Sequence, residues 1–109
     1  MIAFVWEFDV KPDSQEAFEV IYGAGGEWTA VARRSRSYLG SSFLKNQNQP
    51  TRYLLTEYWS EMIVYERHQE DLRNEIADLT ARRDTLVVSV RPLGMFSALD
   101  VPGRVAVGR

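Results

Sequence analysis

The constraint that most narrows the folding options lies at the start of the chain. From Ile2 to Val10 the residues alternate, with Ile2, Phe4, Trp6 and Phe8 on one parity and Ala3, Val5, Glu7 and Asp9 on the other. A period of two is the period of an extended strand, so the three aromatic rings share one face of a sheet. Such a face must be covered, by helices or by another sheet, before the strand is stable in water.

The elements that follow supply the cover. Lys11 and Pro12 end the strand, and Asp13 with Glu16 three residues later has the form of a capping box, predicting a helix from about Ser14. Phe18, Ile21 and Tyr22 give that helix an apolar side, and Gly23, Gly25 and Gly26 interrupt it. Glu27 to Arg34 regains a helical pattern, with Trp28, Val31 and Ala32 facing inward. The segments Tyr38 to Lys45 and Thr51 to Trp59 read as a β-hairpin around the polar connector 46–50.

Ser60 has the chemistry of a helix N-cap, with Trp59 positioned to staple against Val64. From Glu61 onward a single helix is predicted, because Tyr65, His68, Leu72, Ile76 and Leu79 recur at spacings of three and four. Leu86 to Val90, continued through Phe96, makes the last strand, and Pro92 within it calls for an edge position or a bulge. The order is β-α-β-β-α-β, an α+β, ferredoxin-like arrangement in which helices cover one face of a four-stranded antiparallel sheet.

The second face of that sheet also needs cover. Tyr53, Leu55 and Trp59 occupy one parity of the third strand, while Leu54 and Tyr58 occupy the other. An identical sheet is the most economical shield, so a homodimer through the sheet faces is expected. With 109 residues the chain fits one domain, assigned to 1–99, with a tail from 100 to 109 rich in small residues.

Composition removes several function classes. The formal net charge is −2 and the basic residues are scattered in small groups, Arg33, Arg34 and Arg36 in one and Arg82 and Arg83 in another, so no nucleic-acid partner is expected. No cysteine is present, which rules out disulfides and thiolate nucleophiles and fits a reducing compartment. With one histidine a multi-histidine metal centre is not expected either. The acidic start lacks the pattern of a signal peptide or membrane span, and a cytoplasmic location is expected.

The element order, the segment Leu55-Thr56-Glu57-Tyr58-Trp59-Ser60 and His68 nine residues beyond the tryptophan together resemble the antibiotic biosynthesis monooxygenase family. The resemblance covers most of the chain. It implies a dimeric α/β barrel, two ferredoxin-like sheets facing each other, and an oxygenase without bound cofactor, metal or flavin. In such enzymes a phenol is deprotonated in an apolar cavity, and its anion reacts with dioxygen to give a quinone. Trp59 and His68 match the family's tryptophan and histidine, and Tyr65 stands where quinone-forming members have a tyrosine. Two positions depart: Leu55 replaces an asparagine of the quinone-forming members, and Trp6 replaces the strand-one asparagine of the haem-degrading branch. Haem binding through His68 is therefore the weaker alternative.

Each candidate has a plainer reading beside the functional one. His68, on an apolar helix stripe, is either the base that takes the phenol proton or a satisfied core histidine. Trp59 is a stacking wall for an aromatic ligand or an anchor of the strand-to-helix corner, and Tyr65, one helical turn before His68, is a donor to the ligand or a packing residue. Phe4, Trp6 and Phe43 are candidate substrate-lining residues, because the heavy face of a central first strand meets the helices; the alternative is plain core. Glu7 and Glu57 are expected to be solvent-exposed or paired with arginines of a second subunit rather than paired with each other. The glycine segment does not follow a strand and no Lys-Ser or Lys-Thr follows it, so it reads as a mobile turn at a pocket mouth rather than a phosphate loop. A module that binds a small hydrophobic molecule without converting it is the main alternative to the oxygenase.

Overall fold

The structure, a computed structural model, describes residues 1–100. The expected tail from 100 onward lies, beyond Asp100, outside the described residues. The elements are β1 (Ile2–Val10), a 3-10 turn (Pro12–Ser14), α1 (Gln15–Tyr22), α2 (Glu27–Ala32), β2 (Tyr38–Lys45), β3 (Arg52–Trp59), α3 (Met62–Asp71), α4 (Arg73–Asp84) and β4 (Val87–Ser97). They form the expected ferredoxin-like order, with an antiparallel sheet arranged β2-β3-β1-β4.

Register decides which side chains meet the helices. Ile2 pairs with Trp59, Phe4 with Glu57, Trp6 with Leu55 and Phe8 with Tyr53, so the heavy parity of β1 and the odd parity of β3 share one face. On β2, Ser41, Phe43 and Lys45 join that face, opposite Glu57, Leu55 and Tyr53. The core forms there: Phe8, Val10, Phe18, Ile21, Tyr22, Tyr53 and Leu55 are all buried, and Trp6, Trp28 and Phe43 pack against them. Phe18 is fully enclosed by rings, 5.1 Å from Phe8, 5.0 Å from Tyr22, 4.9 Å from Tyr53 and 5.9 Å from Phe43 between centroids.

Several local expectations are corrected. No side chain caps α1; Pro12 opens a short 3-10 turn instead, consistent with its fixed backbone angle. Ser60 does not cap the next helix, because its N–H donates to Ser37 O at 2.9 Å and its hydroxyl meets Ser37 Oγ. The cap position passes to Glu61, whose N–H donates to the Ser37 hydroxyl at 3.1 Å. The single helix expected after Glu61 is two, separated at Leu72, whose backbone angles of −107° and 22° leave the helical region. Pro92 lies on an edge strand beside a bulge, as its chemistry requires.

The turn between α1 and α2 is a tight reversal. Gly25 has φ +76°, and a Cβ on Gly26 would lie 2.4 Å from both the Val20 and Ile21 carbonyl oxygens, so the chain passes there only without a side chain. That approach fixes where α2 begins, and hence where Trp28 sits.

Truncating the enclosed ring at the centre of this layer, Phe18→Ala, is expected to cost about 3–5 kcal/mol of stability. Denaturant unfolding monitored by circular dichroism measures it, and a loss under about 1 kcal/mol would show that the ring cluster is not the organising core.

Candidate functional site

The inward parity of β3 carries one residue that is not apolar. Glu57, between Leu55 and Trp59, is 3% exposed. A carboxylate in that position needs donors to replace lost water. Two indoles supply them: Trp28 Nε1, from α2, donates to Oε2, and Trp59 Nε1 donates to Oε1 at 3.3 Å. Burial pushes the Glu57 carboxyl above its ordinary value, and the two indole N–H groups oppose that shift. The expectation of an exposed or arginine-paired Glu57 is thus overturned. Glu7 lies on the opposite face of the sheet, where Arg91 donates to it at 2.9 Å and Arg52 approaches within 3.7 Å. No Glu7–Glu57 pair can form across a sheet.

His68 points inward from α3, as its place on the helix stripe predicts, and is 8% exposed. Its Nε2 lies 2.8 Å from Val31 O, and since a carbonyl only accepts, Nε2 carries the proton. Nδ1 then accepts from the Gln69 amide at 3.2 Å. The ring rests on Trp59, 5.1 Å between centroids. The void beside it, lined by Trp28, Val31, Glu57, Trp59 and Gln69 among others, measures about 10 Å³, too little for a ligand. The imidazole meets no open hollow; it ties α3 to the C-terminal half of α2.

Tyr65 stands over the same corner. It meets Trp59 edge-on at 5.0 Å and stacks on Phe4 at 4.3 Å, and Phe4 in turn lies 6.1 Å from Trp6. Burial raises the Tyr65 phenol to about 12, with the nearby Glu57 charge adding to the shift. Among the described residues its hydroxyl has no hydrogen-bond partner. Trp59, Tyr65, His68, Phe4 and Trp6 therefore form one continuous aromatic wall, while Phe43 lies apart from it, stacked on Tyr53 at 5.4 Å.

Phe43 does border open space. A cleft of about 570 Å³ lies between the α1–α2 turn and β2, lined by Tyr22, Ala24, Thr29, Arg33, Tyr38, Ser41 and Phe43 among others. Its volume lies within the range of small-molecule sites. Tyr38 and Ser41 join through their hydroxyls at 2.5 Å, and Ser41 pairs in the sheet with Glu57, which places the cleft wall one strand from the buried carboxylate. Tyr22, pushed up to about 12 by burial, lies tilted against Trp28 at 5.2 Å and receives a hydrogen bond from Arg83 at 3.0 Å. Among the described residues no group of three or more His, Asp or Glu side chains stands close enough to hold a metal ion.

Sequence reasoning missed Trp28, Tyr22, Tyr38 and Ser41 as parts of this region and misplaced Glu57. A signal for Glu57 existed, since it shares the parity of Tyr53, Leu55 and Trp59. Nothing local identifies Trp28 as its partner, because that bond spans 29 residues.

The pattern that defines the family described as antibiotic biosynthesis monooxygenase matches residues 1–72. Among solved structures, SnoaB, a cofactor-independent oxygenase from Streptomyces nogalater, superposes with a TM-score of 0.75 at 16% identity, covering 94% of this chain and 97% of that one. A mutant of SnoaB gives 0.77 with the same identity and coverage. PA3566 from Pseudomonas aeruginosa superposes with a TM-score of 0.70 at 17% identity, covering 91% of this chain and 94% of its own. At these identities the similarity speaks for the fold. No curated protein matches the chain.

The buried carboxyl leaves a signature in stability. Its folded value lies above the ordinary 4.5, so the folded state holds the proton more tightly than the unfolded one. The stabilisation is full below the ordinary value and is lost as pH rises through the folded value. Relative to Glu57→Gln, the wild type is expected to lose stability as pH climbs from 4.5 and then level off. Urea unfolding of both proteins across pH 4–8 measures this; a difference that grows in the wild type's favour with rising pH would contradict the burial argument.

Proposed function

The chain belongs to the antibiotic biosynthesis monooxygenase family, and from that premise we propose that it is an oxygenase of small phenols that needs no tightly bound cofactor. The observation that carries this reading is the 570 Å³ cleft, whose aromatic wall of Tyr22, Tyr38 and Phe43 backs onto the buried Glu57 and Trp59. The rings of Tyr22, Tyr38 and Phe43, set among the polar groups of Thr29, Arg33 and Ser41, suit a planar ring bearing hydroxyls. SnoaB, a cofactor-independent oxygenase of the same fold, supports the reaction class.

The proposed overall reaction balances with dioxygen as the sole co-reactant. A phenol with hydrogen on the carbon para to its hydroxyl, plus O₂, gives a para-quinone and water. The ring supplies four electrons, one oxygen atom enters the carbonyl, and the other leaves in water. Tyr22, Tyr38 and Phe43 hold the ring in the cleft, and Trp59, packed against Tyr38, backs that wall together with Tyr65, Phe4 and Trp6. His68 serves as a positioning residue, since both ring nitrogens are occupied and it fixes α2 through Val31 O.

The active form in this reading is a homodimer, a barrel of two facing sheets, each folded unit spanning residues 1–99. Support comes from the face of the sheet away from the helices. Val5, Leu54 and Tyr58 are half-buried there, and Leu44 and Phe96 are 55% and 50% exposed. A second reading, a module that binds an aromatic molecule without converting it, draws support from Leu55, an apolar side chain fully buried opposite Trp6 where quinone-forming relatives carry asparagine.

The purified protein, with no metal or flavin added, is expected to consume about one O₂ per quinone formed from 1-naphthol or a related fused-ring phenol. An oxygen electrode with chromatography of the product measures it. Failure to consume oxygen with any such phenol, alongside a ligand that co-purifies unchanged and raises the melting temperature, would favour the binding module. Leu54→Glu is expected to convert a dimer into a monomer in sedimentation velocity, and a wild type that sediments as a monomer would overturn the facing-sheet assembly.

A further inference from the structure

We propose that Glu57 is the group that takes the phenolic proton, with the substrate hydroxyl occupying the place on Oε2 that the Trp28 indole holds in this structure. This rests on the oxygenase reading above and deepens it.

The argument begins with the donors. An indole N–H can only donate, so a carboxyl held by Trp28 on one oxygen and Trp59 on the other is arranged to accept on both. Both donors favour the ionised form and so oppose, without cancelling, the burial that raises the carboxyl. Among the described residues no arginine or lysine pairs with Glu57, and its hydrogen bonds are the two indole contacts. A buried acid with no cation beside it is costly as a purely structural device, because an apolar residue of similar size would fill the space without the desolvation.

The two oxygens differ in access. Trp59 is 1% exposed and holds Oε1 from within. Trp28 holds Oε2 from a half-buried position on the six-residue α2, one face of its indole against Tyr22. A phenol O–H has the same donor geometry as the indole N–H and can take its place where the Trp28 ring swings aside, against the Tyr22 ring that the indole covers; with the indole in place the void beside the carboxylate is only about 10 Å³. The walls then match a planar aromatic with one acidic hydroxyl.

The proton follows a closed path. Glu57 takes the phenolic proton to become a carboxylic acid, leaving a phenolate whose para carbon is electron-rich. Electron transfer to O₂ and recombination at that carbon form a C–O bond and a peroxide anion. The ring hydrogen then leaves that carbon and the O–O bond breaks, giving the second carbonyl. The departing oxygen leaves as water, with the ring hydrogen and the proton returned by Glu57. A base raised above the usual carboxylate range is better matched to a phenol than an ordinary one.

Among the described residues Tyr22, Tyr38 and Tyr65 feel the Glu57 charge, His68 lines the same small void, and Arg83 donates to the Tyr22 hydroxyl. Burial pushes all three tyrosines up, Tyr22 and Tyr65 to about 12, so they remain neutral across the range used below. His68 keeps both nitrogens in hydrogen bonds that do not involve the carboxylate.

The test is Glu57→Gln assayed with 1-naphthol in air. Loss of a general base is expected to lower kcat about 10²–10⁴-fold at neutral pH. The variant's rate should then climb about tenfold per pH unit toward the pKa of 1-naphthol, because substrate that arrives already ionised needs no base. A loss that stays constant with pH would reveal a structural role, and a variant within about threefold of wild type would overturn the proposal while leaving the oxygenase reading intact. Should Glu57→Gln not fold, Trp28→Phe serves instead, removing the competing donor while keeping the carboxylate. Its KM for 1-naphthol is expected to fall severalfold, and abolished oxidation in a folded Trp28→Phe would count against the exchange. If the wild type forms no naphthoquinone at all, the oxygenase reading fails. Anaerobic 1-naphthol binding then reads the proton acceptor separately, through naphtholate absorbance in wild type and its absence in Glu57→Gln; neutral naphthol in both would sink it.

Discussion

A carboxylate placed among rings on the covered face of a sheet has to be given donors, and much of the local architecture answers that requirement. Trp59 is two residues from Glu57 on the same strand and supplies one N–H by position alone. The other must come from elsewhere, and it comes from α2, a helix too short to be stable by itself. The reversal at Gly25 and Gly26 aims α2 back over the sheet. His68 then secures its later half through Val31 O. The lone imidazole and the glycine turn, distant in sequence, hold the same small helix over the same buried charge.

That view explains which parts of the molecule were legible beforehand. Strand periodicity in Ile2–Val10 and the hairpin signal around 46–50 report directly on backbone geometry, and they fixed the element order and the sheet. The polar tip even closes itself, with Asn46 Oδ1 accepting from the N–H groups of Asn48 and Gln49. The inward direction of His68 was legible for the same reason. What surrounds His68 was not, because packing at that corner depends on Val31 and Gln69, and periodicity says nothing about how much space is left between elements.

The misreadings share a cause. Residue type favours the surface for Glu57, although its parity places it among Tyr53, Leu55 and Trp59. Ser60 has the local chemistry of a cap, although Ser37, 23 residues away, claims both its backbone and its hydroxyl. The change of direction at Leu72 has no glycine or proline to mark it. In each case a contact from another part of the chain outweighed a local preference, which is the usual way propensity yields to tertiary structure.

The sheet register carries one further consequence. Ile2 pairs with Ser97, so the two ends of the described chain meet along the edge beside β1. During synthesis β1 can gain β3 early, yet its other flank stays unpaired until the last strand has emerged. For that interval a strand bearing Phe4, Trp6 and Phe8 shows free backbone donors and acceptors, the pattern through which nascent chains associate wrongly. A ribosome that stalls before Val87 would release a product lacking this seal, so the final strand protects the newborn protein from its neighbours as well as completing the sheet.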